Sequence, residues 1–122
     1  MNIEHEFRKM VSKLVKPGQE ILQSFTLEKC DLNHMALGIA GEAGELVDAI
    51  KKHTIYGKTL DLDNVIEELG DLEFYLEHLR DVLGIIREET LKANLNKLAK
   101  RYPGYDYSDQ AAQDRKDKSN AS

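Results

Sequence analysis

Two acidic stretches decide the fold: residues 41–52 read GEAGELVDAIKK, and residues 65–83 read VIEELGDLEFYLEHLRDVL. In the second stretch, apolar residues recur from Val65 to Leu83 at alternating steps of four and three. This spacing is typical of a helix that packs an apolar stripe against other helices. The two stretches therefore predict helices, and the rest of the chain is interpreted outward from them.

The same periodicity extends to the flanking segments. It predicts helices over about residues 3–14, 27–54, 61–82 and 87–101. Glycine and proline separate these segments, at Pro17-Gly18, Gly57, Gly84 and Pro103-Gly104. Because no segment has the periodicity of a strand, the sequence predicts an all-α fold, a bundle of four to five helices.

The chain divides into a predicted helical domain and a polar tail. The domain spans residues 1–104. Residues 105–122 carry mixed charge and almost no aliphatic side chains. Such a segment cannot bury enough apolar surface to offset the entropy of ordering, so we expect the tail to be largely disordered.

Composition limits the function classes. The 122 residues carry a formal net charge of −5, which argues against a nucleic-acid polymer as partner. No secretory leader and no stretch long enough to span a membrane is visible. The single cysteine, Cys30, cannot form an intrachain disulfide. We therefore expect a cytoplasmic protein without a membrane partner.

Acidic side chains flank the apolar stripes of two predicted helices. They recur as E-x-x-E (Glu42, Glu45) and as E-x-x-D (Glu68, Asp71), each one residue before an apolar position. One residue is a rotation of about 100° on a helix, so the acids lie at the rim of the buried stripe. If the bundle brings these rims together, four carboxylates repel unless a cation lies between them. A hard divalent cation such as Mg²⁺ suits oxygen ligands and phosphate, and the pattern contains no histidine for zinc.

The simpler interpretation is a solvated helix face, since 32% of the chain is charged. Glycines within the two acidic helices favour a site instead. Each costs up to about 1 kcal/mol relative to alanine in a helix, which suggests close backbone approach or room for a ligand. These glycines are Gly38, Gly41, Gly44 and Gly70.

The paired acid motifs, with NLNKLAKRYP at residues 94–103, resemble the MazG-like branch of the all-α nucleoside triphosphate pyrophosphohydrolases. The resemblance covers roughly His34 to Tyr105. It implies Mg²⁺-dependent hydrolysis of (d)NTPs to (d)NMP and pyrophosphate, as in nucleotide-pool housekeeping. Mn²⁺ is a candidate substitute for Mg²⁺, and a homodimer or homotetramer is the implied assembly.

The resemblance also implies roles for individual residues. The metal-binding and catalytic residues would be Glu42, Glu45, Glu68 and Asp71. Independently of the resemblance, a carboxylate not saturated by metal could accept the proton of an attacking water, which makes Glu42 or Glu45 the candidate general base. The substrate-binding residues would be Tyr75 beside the nucleoside, Asn94, Lys97 and Arg101 at phosphate or sugar, and Lys52 of the basic pair that follows the first acid motif.

Two alternatives remain open at this point. One is a related all-α hydrolase specific for dUTP or dCTP, or for phosphoribosyl-ATP. The other is a non-catalytic helical interaction module whose acids face solvent. Pyrophosphate release from a panel of nucleotides, with and without Mg²⁺, distinguishes them.

Overall fold

The structure, a computed structural model, describes residues 1–118 and contains helices without strands over this range. The helices are α1 (Ile3–Leu14), α2 (Gly18–Gln23), α3 (Leu27–Thr54), α4 (Leu62–Leu83), α5 (Arg87–Arg101) and α6 (Asp109–Asp114), with a 3₁₀ turn at Pro103–Tyr105. The all-α prediction is confirmed. None of the helices within residues 1–118 is both long enough and apolar enough to cross a lipid bilayer.

Side-chain caps fix where α1, α3 and α4 begin. In each case a side-chain oxygen just before the helix accepts a hydrogen bond from the backbone N–H three residues later, which satisfies one of the unpaired donors of the first turn. The pairs are Asn2 with His5, Thr26 with Lys29 and Asp61 with Asn64. At the other end of α4, Gly84 has a φ of 68° and ends the helix in the left-handed conformation that glycine adopts readily.

Helices α3 and α4 form an antiparallel hairpin that contains the buried core of the described chain. Met35 and Ala49, both on α3, are its buried residues. The helices approach closely at Gly38, where an added Cβ would overlap the ring of Tyr75 from α4. Glycine is therefore required at this position by packing, whereas Gly41, Gly44 and Gly70 face open space.

The predicted apolar stripes are only partly covered. Leu46 and Leu72 are half-buried, but Val47 and Leu69 remain 64% and 46% exposed. Within residues 1–118, extensive helix packing is confined to α3 with α4 and to α5 with the segment that follows it. Helices α1 and α2 have at most marginal contact with other helices. The hairpin alone does not complete the predicted core.

Residues 105–118 contain a short helix and an ion pair to α5. Helix α6 begins at Asp109 and is capped by Ser108, whose hydroxyl accepts a hydrogen bond from the N–H of Ala111 at 3.0 Å. Further along, Asp117 pairs with Arg101 of α5. These polar contacts join the segment to α5, and the expected disorder of the tail stays a prediction. For residues 119–122 the expectation lies outside the described part of the chain.

Candidate metal centre

Three carboxylates from two helices converge on one side of the hairpin. Glu42 of α3 and Glu68 and Asp71 of α4 each place an oxygen within 4.8 Å of the other two. Glu68 and Asp71 share a face because they are three residues apart on one helix, and the packing of α3 on α4 brings Glu42 to them. Glu42 and Glu68 are half-buried, whereas Asp71 is exposed.

The environment of Glu68 disfavours the charged form of its carboxyl group. Its Oε2 atom is buried without a hydrogen-bond partner among the described residues. Burial raises the pKa of Glu68, and the neighbouring carboxyl group of Glu42 raises this pKa further. Asp71 and Glu45 add smaller effects in the same direction. A buried carboxylate oxygen without a donor, among other acids, is the condition that a bound cation relieves.

The donor set fits a hard cation. All three groups offer carboxylate oxygens, and the partial exposure leaves room for further ligands such as water or phosphate. The structure therefore contains a carboxylate cluster that can hold a metal ion. Glu45, the fourth predicted ligand, is exposed and lies outside this group of three, although its charge influences Glu68.

Tyr75 lies one helical turn beyond Asp71 and against Gly38, which is one turn before Glu42. Its half-buried ring meets His34 edge-on at a centroid distance of 6.1 Å, and Phe74 at 5.2 Å. The ring is thus a packing element of the hairpin, next to the carboxylate cluster. Its predicted contact with the nucleoside stays a prediction.

The residues predicted to contact phosphate or sugar lie on α5. Asn94 and Lys97 are exposed there, and α5 has at most marginal contact with α3 and α4. Arg101 is engaged with the tail: its Nε and Nη2 atoms donate to the carboxylate of Asp117 at 2.6 and 3.0 Å. Within one described chain, these groups are not brought to the carboxylate cluster.

The basic pair at the end of α3 has local partners. The Nζ atom of Lys52 lies 3.0 Å from Asp48, with both side chains about half-exposed, and the hydrogen bond to Asp48 raises the pKa of Lys52. The Nζ atom of Lys51 lies 5.4 Å from the centroid of the Tyr56 ring. A phosphate role for Lys52 stays a prediction.

One contact of a predicted site residue carries no signal in the sequence, and a second carries a weak one. The partner of Arg101 is Asp117, 16 residues later in a polar segment that carries no periodicity, so no local signal indicated the pair. The contact of Tyr75 with Gly38 had a weak signal, because a glycine within a long helix often has a packing reason.

Comparison with known proteins identifies the family of this chain. The family model of the MazG nucleotide pyrophosphohydrolase domain matches residues 31–105, well over half of the sequence. The chain therefore belongs to this family of nucleotide pyrophosphohydrolase domains. The matched region contains all four predicted acids and α5.

One curated relative is a phage protein, the Gene 37 protein of Mycobacterium phage L5, which is 33% identical over 79 residues. The alignment covers 57% of this chain and 65% of the relative, so the chain spans slightly less than two thirds of that protein's length. No solved structure matches the chain.

Proposed function

We propose that the protein hydrolyses nucleoside triphosphates between the α and β phosphates, giving a nucleoside monophosphate and pyrophosphate. The observation that carries this proposal is the convergence of Glu42, Glu68 and Asp71 within 4.8 Å. Membership of the MazG family supports it, because the family description names nucleotide pyrophosphohydrolysis.

Glu42, Glu68 and Asp71 would hold a divalent cation, Mg²⁺ with Mn²⁺ as substitute, and Glu45 would add a ligand from the next turn of α3. When bound, such an ion supplies positive charge to phosphate oxygens and lowers the pKa of a coordinated water. The unpartnered Oε2 of Glu68 supports a cation at this position.

The side chains of the protein would have three further roles in the reaction. The carboxylate of Glu42 or Glu45 would accept the proton of the attacking water, since Glu42 belongs to the cluster and Glu45 follows it by one turn of α3. The ring of Tyr75, one turn away, would line the nucleoside side of the site. Cationic and amide groups of α5 would bind the triphosphate and stabilise charge on the departing pyrophosphate; they are Asn94, Lys97 and Arg101.

Metal binding by the α3–α4 hairpin and phosphate binding by α5 can act on one substrate only if the chain self-associates. Helix α5 has at most marginal contact with the hairpin of its own chain. The phosphate-binding groups of α5 would therefore act at the carboxylate cluster of a neighbouring copy. We therefore include a homodimer or homotetramer in the proposal. The same reasoning predicts that activity depends on protein concentration near the dissociation constant of the assembly.

The proposal is tested by pyrophosphate release from all common NTPs and dNTPs, with Mg²⁺ and with EDTA. The wild type is expected to release pyrophosphate only with the metal. Glu68→Gln is expected to lose turnover, whereas Glu73→Gln, on the same helix but outside the cluster, should retain it. Turnover restricted to dUTP, dCTP or phosphoribosyl-ATP would identify the narrower enzyme. No turnover of any nucleotide would favour the interaction module.

A further inference from the structure

The side chains of His34 and Tyr75 meet next to the carboxylate cluster. Their ring centroids are 6.1 Å apart, and the ring planes are inclined at 64°. The ring of Tyr75 lies against Gly38, where an added Cβ would overlap it, so the packing of α3 on α4 fixes this ring. His34, by contrast, is exposed. One ring of the pair is therefore held in place, and the other is accessible to a ligand.

The pair and the carboxylates belong to one surface of the hairpin. His34, Gly38 and Glu42 follow one another at intervals of four residues on α3. Asp71 and Tyr75 have the same interval on α4. Residues four apart are neighbours along one face of a helix. The surface thus begins at the carboxylates and ends at the two rings.

The opposite direction along α3 has a different chemistry. One turn beyond Glu42 is the exposed Glu45, and further on the Nζ atom of Lys52 lies 3.0 Å from Asp48. These charged groups offer no flat apolar surface, whereas the bases of nucleotides stack on aromatic side chains. The base of a nucleotide whose phosphates lie at the cluster would therefore point toward Tyr75 rather than toward Lys52.

The spacing along α3 suits the length of a nucleoside. At a rise of about 1.5 Å per residue, Gly38 and His34 lie about 6 Å and about 12 Å from Glu42 along the helix axis. Six covalent bonds separate the α phosphorus of a nucleotide from its base, which limits that separation to about 9 Å at roughly 1.5 Å per bond. A base attached to phosphates at the carboxylates thus reaches the level of Tyr75, and its far edge reaches the level of His34.

The imidazole of His34 can form hydrogen bonds with the edge of a base. A neutral imidazole offers one donor and one acceptor, and a charged one offers two donors. The Nδ1 atom of His53 is used inside the chain, 2.7 Å from the carbonyl oxygen of Lys58. Within residues 1–118, the side chain of His34 forms no such hydrogen bond and contacts Tyr75 through its ring. Stacking is open to every base, whereas a hydrogen bond to the base edge discriminates among bases.

We propose that His34 contacts the base of the bound nucleotide and sets the preference among bases, while the ring of Tyr75 is the surface on which the base packs. The inference rests on the proposed function, because the carboxylate cluster must hold the phosphates. It adds the residue that selects among the substrates.

The first test measures binding without turnover. Nucleoside monophosphates of the four DNA bases are added with Mg²⁺ to the full chain, and the ring resonances of its four histidines are followed by NMR. The His34 signal, assigned from its absence in His34→Gln, is expected to shift with the preferred nucleotide, whereas the His53 signal should not. Inorganic phosphate, which carries no base, should shift neither signal. An unshifted His34 signal with every nucleoside monophosphate would overturn the inference.

A second test compares ligands that carry a base with one that lacks it. In His34→Gln, the KM for the preferred dNTP is expected to rise about tenfold with kcat nearly unchanged, because a base contact supports binding rather than chemistry. The spread of kcat/KM among the dNTPs should narrow by a similar factor. Inhibition by inorganic triphosphate, which would occupy the carboxylate cluster alone, should stay the same. His53→Gln, the same substitution at the other end of α3, should behave as the wild type throughout.

The pattern of losses distinguishes a contact with the base from other roles of His34. A structural role would weaken the binding of inorganic triphosphate together with that of every dNTP. A contact with the sugar would raise the KM for all dNTPs by the same factor. Either result would contradict the inference.

These readouts also separate the inference from the proposed activity. If the His34 signal shifts with a nucleoside monophosphate but no pyrophosphate is released from any nucleotide, the base contact stands and the proposed function is removed. If the protein is active and His34→Gln changes neither the KM nor the preference among bases, the proposed function stands and the base contact is removed.

Discussion

The guanidinium of Arg101 is held by the carboxylate of Asp117 through two hydrogen bonds, from Nε at 2.6 Å and from Nη2 at 3.0 Å. The Asp117 side chain is 1% exposed and that of Arg101 is 18% exposed. Paired and shielded from water, the two charges join the C-terminal segment to the end of α5. A phosphate that binds Arg101 would have to use another edge of the guanidinium or displace Asp117.

Removing the charge of residue 117 should release the C-terminal segment. In Asp117→Asn, the carboxylate that accepts both hydrogen bonds is replaced by an amide with one oxygen, and Arg101 loses its counter-charge. We expect hydrogen exchange in residues 105–118 to rise about tenfold or more. Asp106→Asn, which removes an acid from the same segment without touching Arg101, should leave the exchange unchanged. Equal protection in both variants would show that the pair does not hold the segment.

The same pair predicts a pH dependence of stability. The hydrogen bond from Arg101 lowers the pKa of Asp117 below the ordinary aspartate value of 3.8. An acid with a lowered folded-state pKa contributes stability above its unfolded pKa and loses it as the pH falls through the folded pKa. The difference in melting temperature between wild type and Asp117→Asn should therefore be constant from neutral pH to about pH 5 and should shrink below pH 4. A difference that persists at pH 2 would contradict the assignment.

The sequence predicted α1, α3, α4 and α5 well because their apolar periodicity is local and their ends carry glycine, proline or a capping side chain. The acid pairs of the hairpin were predictable for the same reason: spacing of three residues places Glu68 and Asp71 on one face. The pairing of Arg101 with Asp117 was not predictable, because the two residues are 16 positions apart and Asp117 lies in a polar segment without apolar periodicity. The exposure of Val47 and Leu69 was likewise not predictable, since periodicity shows which face of a helix is apolar but not what covers that face.

The contact between Gly38 and Tyr75 predicts opposite effects for two similar substitutions. In Gly38→Ala, the new methyl group would overlap the Tyr75 ring, so the hairpin must shift. We expect a loss of about 1–3 kcal/mol in the free energy of unfolding, which exceeds the helix-propensity gain of up to about 1 kcal/mol. In Gly41→Ala, nothing lies within 4 Å of the added atom, so the propensity gain should appear as stabilisation. Chemical denaturation measures both, and a stabilised Gly38→Ala would refute the close packing.

The carboxylate cluster should make the metal-free protein less stable than its own metal-site variant. With EDTA, a negative charge on Glu68 beside Glu42 and Asp71, with one oxygen buried and unpaired, destabilises the folded state, as the raised pKa of Glu68 indicates. Glu68→Gln removes that charge, so its melting temperature in EDTA should exceed that of the wild type.

Adding Mg²⁺ should raise the melting temperature of the wild type with concentration, because a ligand that binds only the folded state stabilises it by RT ln(1 + [L]/Kd). The variant, with one ligand charge fewer, should respond much less, and the order of the two proteins should reverse at high Mg²⁺. Glu73→Gln serves as control and should follow the wild type throughout. If Mg²⁺ shifts the wild type and Glu68→Gln equally, the cluster does not hold the ion.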